Sequence, residues 1–145
     1  MNESSSTNIF VSLVCISILV SRIMKKILFI EDESALQKTF GDILKNKGYG
    51  VLKALDGESG LRSAKGERPD LILLDLILPK MDGFEVLKEL KENEETKNIP
   101  VIILTNLEET EDIQKALELG ATTYLVKSSY TLEEVVNKIE KALGE

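Results

Sequence analysis

The 145-residue sequence contains no histidine and a single cysteine. Without histidine, the chain cannot form a Ser-His-Asp triad, a Cys-His pair or an HExxH metallopeptidase site, and it cannot carry a phosphohistidine. The lone Cys15 excludes an intramolecular disulfide and a CxxC redox or zinc motif. Carboxylates, hydroxyls and lysines remain for chemistry, and carboxylate oxygens suit hard cations such as Mg²⁺.

Basic character and nucleotide-binding glycine loops are also missing. The formal net charge is −7, which argues against a protein that binds nucleic acid through a basic surface. No GxxxxGK[ST] loop is present, and Gly48-x-Gly50 has Lys53 where the third glycine of a dinucleotide-binding loop belongs. With 43% apolar and 30% charged residues, the composition is that of one globular domain that needs no disulfide or structural metal.

The first 23 residues differ in composition from the rest. Residues 9–20 form an apolar run broken only by two serines, and it is shorter than the roughly 20 residues that a membrane span needs. The stretch that begins at Met24 reads as a natural start, so we expect residues 1–23 to lie outside the fold and residues 24–145 to form the domain. The alternative is a weak membrane anchor at residues 9–20, followed by cations on the cytoplasmic side.

From Met24 onward, short apolar runs alternate with amphipathic segments. The runs predict strands buried on both faces, and apolar residues at helical spacing predict a helix after each run. The predicted strands are residues 27–30, a weaker 49–55, then 71–74, 101–104 and 123–126. Ser34 with Gln37 has the spacing of a capping box at a helix start, and Thr131 with Glu134 has the same spacing.

Five strand–helix units with buried strands predict a parallel sheet covered by helices on both faces. We therefore expect an α/β fold of the flavodoxin-like (βα)5 type, with a five-stranded parallel sheet of order 2-1-3-4-5. In that order strands 1 and 3 are neighbours, and ligands bind at the switch between them, outside the carboxyl ends of the strands.

Polar residues follow four of the predicted strands at this same end. They are Glu31 and Asp32 after strand 1, Asp75 after strand 3, Thr105 after strand 4 and Lys127 after strand 5. Clustered carboxylates repel one another unless a cation lies among them, and Mg²⁺ prefers oxygen ligands. We predict that Asp32 and Asp75 ligate Mg²⁺ directly, with Glu31 acting through water. Asp75 can then attack a phosphoryl group whose oxygens Lys127 and Thr105 bind.

These residues resemble the receiver domain of bacterial two-component response regulators, of the single-domain, chemotaxis-regulator-like kind. The resemblance covers residues 24–145. The motifs that carry it are Ile27-Leu28-Phe29-Ile30-Glu31-Asp32-Glu33, Leu71-Ile72-Leu73-Leu74-Asp75-Leu76, Leu78-Pro79-Lys80-Met81-Asp82-Gly83, Ile103-Leu104-Thr105, Gly120-Ala121 and Tyr124-Leu125-Val126-Lys127. The resemblance implies that Asp75 is the phosphoacceptor, and that the phosphohistidine of a sensor histidine kinase or a phosphotransfer protein is the donor.

The resemblance also implies which residues hold the cation. Glu31, Asp32 and Asp75 form an acidic Mg²⁺ pocket, and the main-chain carbonyl of Ile77 is a further ligand. Lys127 is implied to bind the phosphoryl group.

Thr105 and Tyr124 are implied to form the switch pair. Phosphorylation adds roughly 1.5–2 negative charges at Asp75. Thr105 is implied to move and bond a phosphoryl oxygen, and Tyr124 to turn into the space that Thr105 vacates. The face of helix 4, strand 5 and helix 5 then changes, and it binds an output protein or passes the phosphoryl group on. Such a switch is expected to be cytoplasmic and to catalyse only its own phosphorylation and dephosphorylation. It is expected to bind neither nucleic acid nor a membrane. The alternative is that residues 9–20 tether it to the inner face of the membrane.

Two other functions stay open. A Mg²⁺-dependent phosphohydrolase with an aspartyl nucleophile usually has a second aspartate two residues on as general acid, and Ile77 stands at that position. A receiver that has lost phosphorylation and works only as an adaptor would not need the full set of site residues.

Three positions depart from the family pattern. Glu31 stands where many relatives have aspartate, and we expect it to keep the metal site. Asn106 stands where a small residue is usual. We expect its side chain to narrow the access of water or the phosphodonor to the site and so alter the phosphoryl lifetime. Ser128 replaces the proline that commonly follows the lysine, often through a cis bond. Because a cis bond before a non-proline residue costs about 3–4 kcal/mol, we expect a trans Lys127–Ser128 bond and a reshaped loop.

Overall fold

The computed structural model describes residues 9–17 and 25–145. Residues 9–17 are helical, and their side chains are exposed. The proposed start at Met24 and the rest of the segment 1–23 lie outside the described residues, so the predicted domain boundary stays a prediction. Within the described part of the chain, no helix is both long and apolar enough to span a bilayer.

Five parallel strands form one sheet in the order β2-β1-β3-β4-β5, which confirms the predicted topology. The strands are β1 (Lys26–Ile30), β2 (Gly50–Ala54), β3 (Leu71–Leu74), β4 (Val101–Thr105) and β5 (Thr123–Val126). The three central strands are buried at every position except Lys26. Burial of both faces is the reason that these strands read as continuous apolar runs.

Five helices cover the two faces of the sheet. Numbered from the first helix after β1, they are α1 (Ser34–Asn46), α2 (Gly57–Glu67), α3 (Gly83–Glu92), α4 (Thr110–Glu118) and α5 (Leu132–Ala142). Successive strand side chains point to opposite faces, so Leu28 packs with α2 and α3 while Phe29 packs with α1 and α5. Helix α4 is the least embedded, because Ala116 is its one buried residue.

The register of the central strands aligns the ends that carry the polar residues. Ile30 lies opposite Leu74 in the β1–β3 pair, and the main-chain N–H of Asp75 donates to the carbonyl of Ile30 at 3.0 Å. In the β4–β5 pair Thr105 lies opposite Val126. The predicted site residues therefore leave the sheet at one edge.

One of the two predicted capping boxes is confirmed and the other is wrong. At the start of α5, Thr131 accepts from the main-chain N–H of Glu134, whose side chain accepts from the N–H of Thr131. At the start of α1, Ser34 is already helical, and Glu33 is the N-cap residue without a side-chain cap bond. Gln37 does not reach back to the helix start, because its side chain faces the sheet and is buried.

The buried Gln37 joins α1 to the ends of two strands. Its Nε2 donates to the carbonyls of Phe29 at 3.1 Å, Glu31 at 3.3 Å and Ala54 at 2.9 Å. These bonds add to the main-chain pairing of the sheet, because the carbonyl of Ala54 also accepts from the main-chain N–H of Glu31 at 3.0 Å. The amide therefore holds β1 and β2 together directly beneath the acidic residues.

The described residues contain no cis peptide bond, which confirms the predicted trans Lys127–Ser128 bond. Lys127–Ser129 form a single 3₁₀ turn between β5 and α5. Without a proline ring in the chain at this point, the trans peptide carries no competing preference for the cis form.

We expect Gln37→Leu to lower the free energy of unfolding by roughly 1–3 kcal/mol, because it removes the bonds from the amide to three buried carbonyls. The exposed Gln114→Leu in α4 is the matched control and should change stability by less than about 0.5 kcal/mol. Urea unfolding measures both. Equal midpoints for the two variants would contradict the role assigned to Gln37.

We expect Gly83→Ala to destabilise the fold by roughly 1–3 kcal/mol through overpacking. A Cβ on Gly83 would lie 2.3 Å from Cα of Leu76 and 2.7 Å from the carbonyl oxygen of Asp75, and main-chain atoms cannot rotate away. The control is Gly66→Ala in α2, where a Cβ would meet no atom within 4 Å outside its own stretch of helix, and helix propensity predicts a gain of about 0.5–1 kcal/mol. Thermal unfolding of both variants should shift the midpoint in opposite directions.

Candidate functional site

Three carboxylates meet at the edge of the sheet where β1 and β3 end. One oxygen each of Glu31, Asp32 and Asp75 lies within 4.8 Å of the others. Glu31 and Asp75 are buried, whereas Asp32 is exposed. The acidic residues singled out in the sequence are therefore neighbours in space.

The amine of Lys127 joins the two buried carboxylates. Its Nζ donates to Oε1 of Glu31 at 2.5 Å and to Oδ2 of Asp75 at 2.9 Å. The remaining oxygens accept from the main chain two residues on: Oε2 of Glu31 from the N–H of Glu33 at 3.3 Å, and Oδ1 of Asp75 from the N–H of Ile77 at 3.0 Å. Each carboxylate is thus oriented from two sides.

Burial dominates the electrostatics of this cluster. It raises the pKa of Glu31 to about 7, an effect that the hydrogen bond from Lys127 opposes and the charge of Asp75 reinforces. Burial alone would lower the pKa of Lys127, but its bonds to Glu31 and Asp75 raise that pKa above its ordinary value. Lys127 is therefore a cation whose charge the buried carboxylates require.

The hydroxyl of Thr105 is buried at the end of β4. Within residues 9–17 and 25–145, its Oγ1 has no hydrogen-bond partner. Buried polar atoms of native proteins rarely lack partners, and a catalytic or binding role is one explanation for such an exception. Thr105 thus offers an unused donor at the same edge of the sheet as the acidic cluster.

Tyr124 in β5 is half-buried and packs against the core that contains α2 and α3. Its hydroxyl donates to the carbonyl of Leu107 at 2.8 Å, which attaches β5 to the loop between β4 and α4. Burial, and to a smaller extent the charges of Asp112 and Asp75, raises the pKa of Tyr124 to about 12. The hydroxyl is therefore protonated and able to donate at neutral pH.

The remaining two predicted positions lie on the rim of the site. Ile77 has an exposed side chain, and its main chain contacts the carboxylate of Asp75 through the N–H. Asn106 is exposed beside a half-open cavity of about 240 Å³ between α1 and α5, which Lys127 also lines. Its predicted effect on the phosphoryl lifetime stays a prediction.

Sequence reasoning missed the main-chain donors of Glu33 and Ile77, and it misassigned Gln37. The main-chain contacts leave no signal in residue identity, because any non-proline residue supplies the same N–H. Gln37 could have been recognised, because it falls on the same face of α1 as the core residues Phe40 and Leu44.

The donor set fits a divalent cation such as Mg²⁺. Magnesium prefers carboxylate and main-chain oxygen and keeps several waters. Glu31 and Asp75 supply buried oxygens, while the exposed Asp32 leaves the cluster open to water on one side. The excess of negative charge at these three residues over the single Lys127 also favours a second cation.

A family comparison agrees with this geometry. The sequence model of the response regulator receiver domain family matches residues 27–140, and the chain belongs to that family. Receiver domains accept a phosphoryl group on aspartate in two-component signalling, and they act as signalling switches.

Among curated relatives, the chain is 40% identical over 124 residues to the probable transcriptional regulator ycf27 of Porphyridium aerugineum, covering 81% of this chain and 50% of that protein. It is 37% identical over 119 residues to the sporulation initiation phosphotransferase F of Bacillus subtilis, covering 82% of this chain and 94% of that protein. The chain spans about half the length of ycf27 and of the similar regulator RpaA of Synechocystis.

Solved structures of receiver domains have the same fold. The chemotaxis protein CheY4 of Vibrio cholerae has a TM-score of 0.76 at 30% identity, covering 82% of this chain and 98% of that chain. The receiver domain of the sensor histidine kinase PA1611 of Pseudomonas aeruginosa has a TM-score of 0.75 at 30% identity, covering 83% and 98%. That structure has a magnesium ion coordinated in its active-site cleft.

Burial of Tyr124 gives its hydroxyl an ionisation that can be measured separately from that of an exposed tyrosine. Since its folded-state pKa lies above the ordinary value of 10.0, the contribution of the hydroxyl to stability is complete below pH 10 and is lost as the pH rises through about 12. We expect the difference in phenolate absorbance between wild type and Tyr124→Phe to rise near pH 12, with folding followed by circular dichroism. A rise near pH 10 in folded protein would place Tyr124 in solvent.

Proposed function

We propose that the chain is a phosphorylation-controlled signalling switch whose phosphoacceptor is Asp75. The observation that carries the proposal is the buried pair of Glu31 and Asp75 held by the amine of Lys127. The unpartnered hydroxyl of Thr105 supports it, because phosphoryl oxygens are strong acceptors. The unit proposed to act is residues 24–145.

The proposed reaction transfers a phosphoryl group from nitrogen to oxygen. A carboxylate oxygen of Asp75 forms the new bond to phosphorus, while the bond from phosphorus to the donor imidazole breaks and its electron pair returns to the nitrogen. Lys127 and Thr105 bind phosphoryl oxygens and stabilise the charge that develops there. These 145 residues contain no histidine, so the donor imidazole lies outside them.

In this proposal Glu31, Asp32 and Asp75 hold Mg²⁺ together with the carbonyl of Ile77. When bound, the ion supplies positive charge that neutralises the transferring phosphoryl group. Ile77 provides no carboxyl group two residues after Asp75, and the described residues therefore do not support a phosphohydrolase that needs a general acid there.

The proposed partners follow from the chemistry of the two surfaces. A sensor histidine kinase or a phosphotransfer protein would supply the phosphoryl group, and receiver domains interact with such proteins. The face formed by α4, β5 and α5 is the proposed output surface. Exposed acidic residues lie in α4 and in the loop before it: Glu108, Glu109, Glu111 and Glu118. This surface would favour a basic protein surface rather than nucleic acid.

A cytoplasmic location is part of the proposal, and the membrane tether at residues 9–20 stays its alternative.

Phosphorylation by a small donor tests the assignment directly. Full-length protein incubated with acetyl phosphate and Mg²⁺ should gain one acid-stable, hydroxylamine-labile phosphoryl group, which intact-mass measurement detects and peptide mapping places on Asp75. Asp75→Ala should gain none. Asp70→Asn, at the opposite edge of the sheet, is the control and should be labelled like wild type. An unlabelled wild type, or equal labelling of Asp75→Ala, would refute the proposed function.

A further inference from the structure

The side chain of Gln37 reaches from α1 to the loop that carries the acidic residues after β1. Gln37 is only 4% exposed, and its amide nitrogen donates to the carbonyls of Phe29 at 3.1 Å, Glu31 at 3.3 Å and Ala54 at 2.9 Å. Because the amide nitrogen carries two hydrogens, two of these three carbonyls share one of them. The amide is therefore fixed by its bonds at the junction of α1, β1 and β2.

Gln37 contacts the main chain on both sides of Asp32. Its side chain donates to the carbonyl of Glu31, and its main-chain N–H donates to the carbonyl of Glu33 at 3.0 Å. The N–H of Glu31 donates to the carbonyl of Ala54, which also accepts from the amide of Gln37. The main chain that carries Asp32 is therefore bonded to Gln37 at the residue before it and at the residue after it.

Asp32 depends on this main chain more than the other two acidic residues do. Glu31 and Asp75 are buried, and the carboxylate of each accepts from Lys127 and from a main-chain N–H. Asp32 is exposed, so packing does not hold its side chain. Because a short aspartate side chain turns only about χ1 and χ2, the main chain limits the places that its oxygens can reach.

We propose that Gln37 is a positioning residue of the proposed metal site, which keeps the Asp32 carboxylate close to those of Glu31 and Asp75 by fixing the main chain around it. The inference rests on the proposed function and gives a role in it to a residue outside the acidic cluster. Mg²⁺ demands near-ideal octahedral geometry, so a small displacement of one carboxylate weakens its binding. Loss of a hydrogen-bond partner around a metal ligand typically costs about 10–100-fold in metal affinity.

Calorimetry of Mg²⁺ binding to full-length Gln37→Met tests the proposal. Methionine is a flexible, unbranched side chain of similar length that fills the same space but has no N–H to donate. We expect the affinity for Mg²⁺ to fall at least about tenfold. In labelling by acetyl phosphate, the Mg²⁺ concentration that gives half the maximal rate should rise by the same factor. The rate at saturating Mg²⁺ should stay near that of wild type, because the lost contacts act on metal binding.

Thr96→Val is the matched control. The buried hydroxyl of Thr96 donates to the carbonyl of Leu90 at 2.7 Å, in the segment before β4 and thus at the edge of the sheet opposite the acidic residues. The substitution also removes a buried bond from a side chain to a main-chain carbonyl. It should lower the midpoint of urea unfolding, as Gln37→Met does, but leave the affinity for Mg²⁺ unchanged.

NMR of the wild-type side-chain amides gives a test that does not depend on the folding of a variant. The amide signals of Gln37 should shift over the same Mg²⁺ range as the heat of binding, because a metal that binds Asp32 also loads the main chain bonded to Gln37. Gln114 is the internal control. Its side chain is exposed in α4 and bonded to Glu118 at 3.2 Å, so its amide signals should not respond to Mg²⁺.

The outcomes separate this inference from the function on which it rests. The positioning role is refuted if folded Gln37→Met binds Mg²⁺ like wild type, if Thr96→Val loses as much affinity, or if Mg²⁺ leaves the Gln37 signals of wild type unchanged. Phosphorylation of Asp75 stands in all three cases. A wild type that binds no Mg²⁺ refutes the proposed metal site together with the positioning role, whereas the proposed function itself fails if acetyl phosphate does not label wild type.

Discussion

Parallel pairing of β1 with β3 is the constraint on which the site depends. Because Ile30 lies opposite Leu74, the next residues, Glu31 and Asp75, leave the sheet side by side and become buried. Two adjacent buried carboxylates are stable only when a cation or a proton compensates their charge. The register of the sheet thus places two negative charges side by side. The amine of Lys127, directly after β5, compensates them by bonding both carboxylates.

The surrounding structure keeps that edge rigid by main-chain contacts. Gln37 bonds α1 to the carbonyls of Phe29 in β1 and Ala54 in β2, and Gly83 allows α3 to begin against the main chain of Asp75 and Leu76. Neither contact involves the reacting groups. Each one fixes the main chain from which a site carboxylate extends.

Helix α4 makes fewer buried contacts and hydrogen bonds with the rest of the molecule than the residues at the acidic edge of the sheet do. Ala116 is the one buried residue of α4, and the amine of Lys115 lies 4.3 Å from the centre of the Phe84 ring. Tyr124 adds a single hydrogen bond to the loop that precedes the helix. A surface with so few buried contacts can be repositioned by a small free-energy difference, which suits the output role proposed for it.

The sequence by itself determined the five strand–helix units, their order in the sheet and the polar residues at the strand ends. Apolar runs and helical spacing report burial directly, so these features needed no coordinates. Only the tertiary structure decided which atoms meet. The bonds from Lys127 to Glu31 and Asp75, from the hydroxyl of Tyr124 to the carbonyl of Leu107 and from the amide of Gln37 to the carbonyl of Ala54 join residues that are distant in the chain. Residue identity does not encode such contacts, because they arise from the register of neighbouring strands and from the direction in which each side chain leaves its helix or strand.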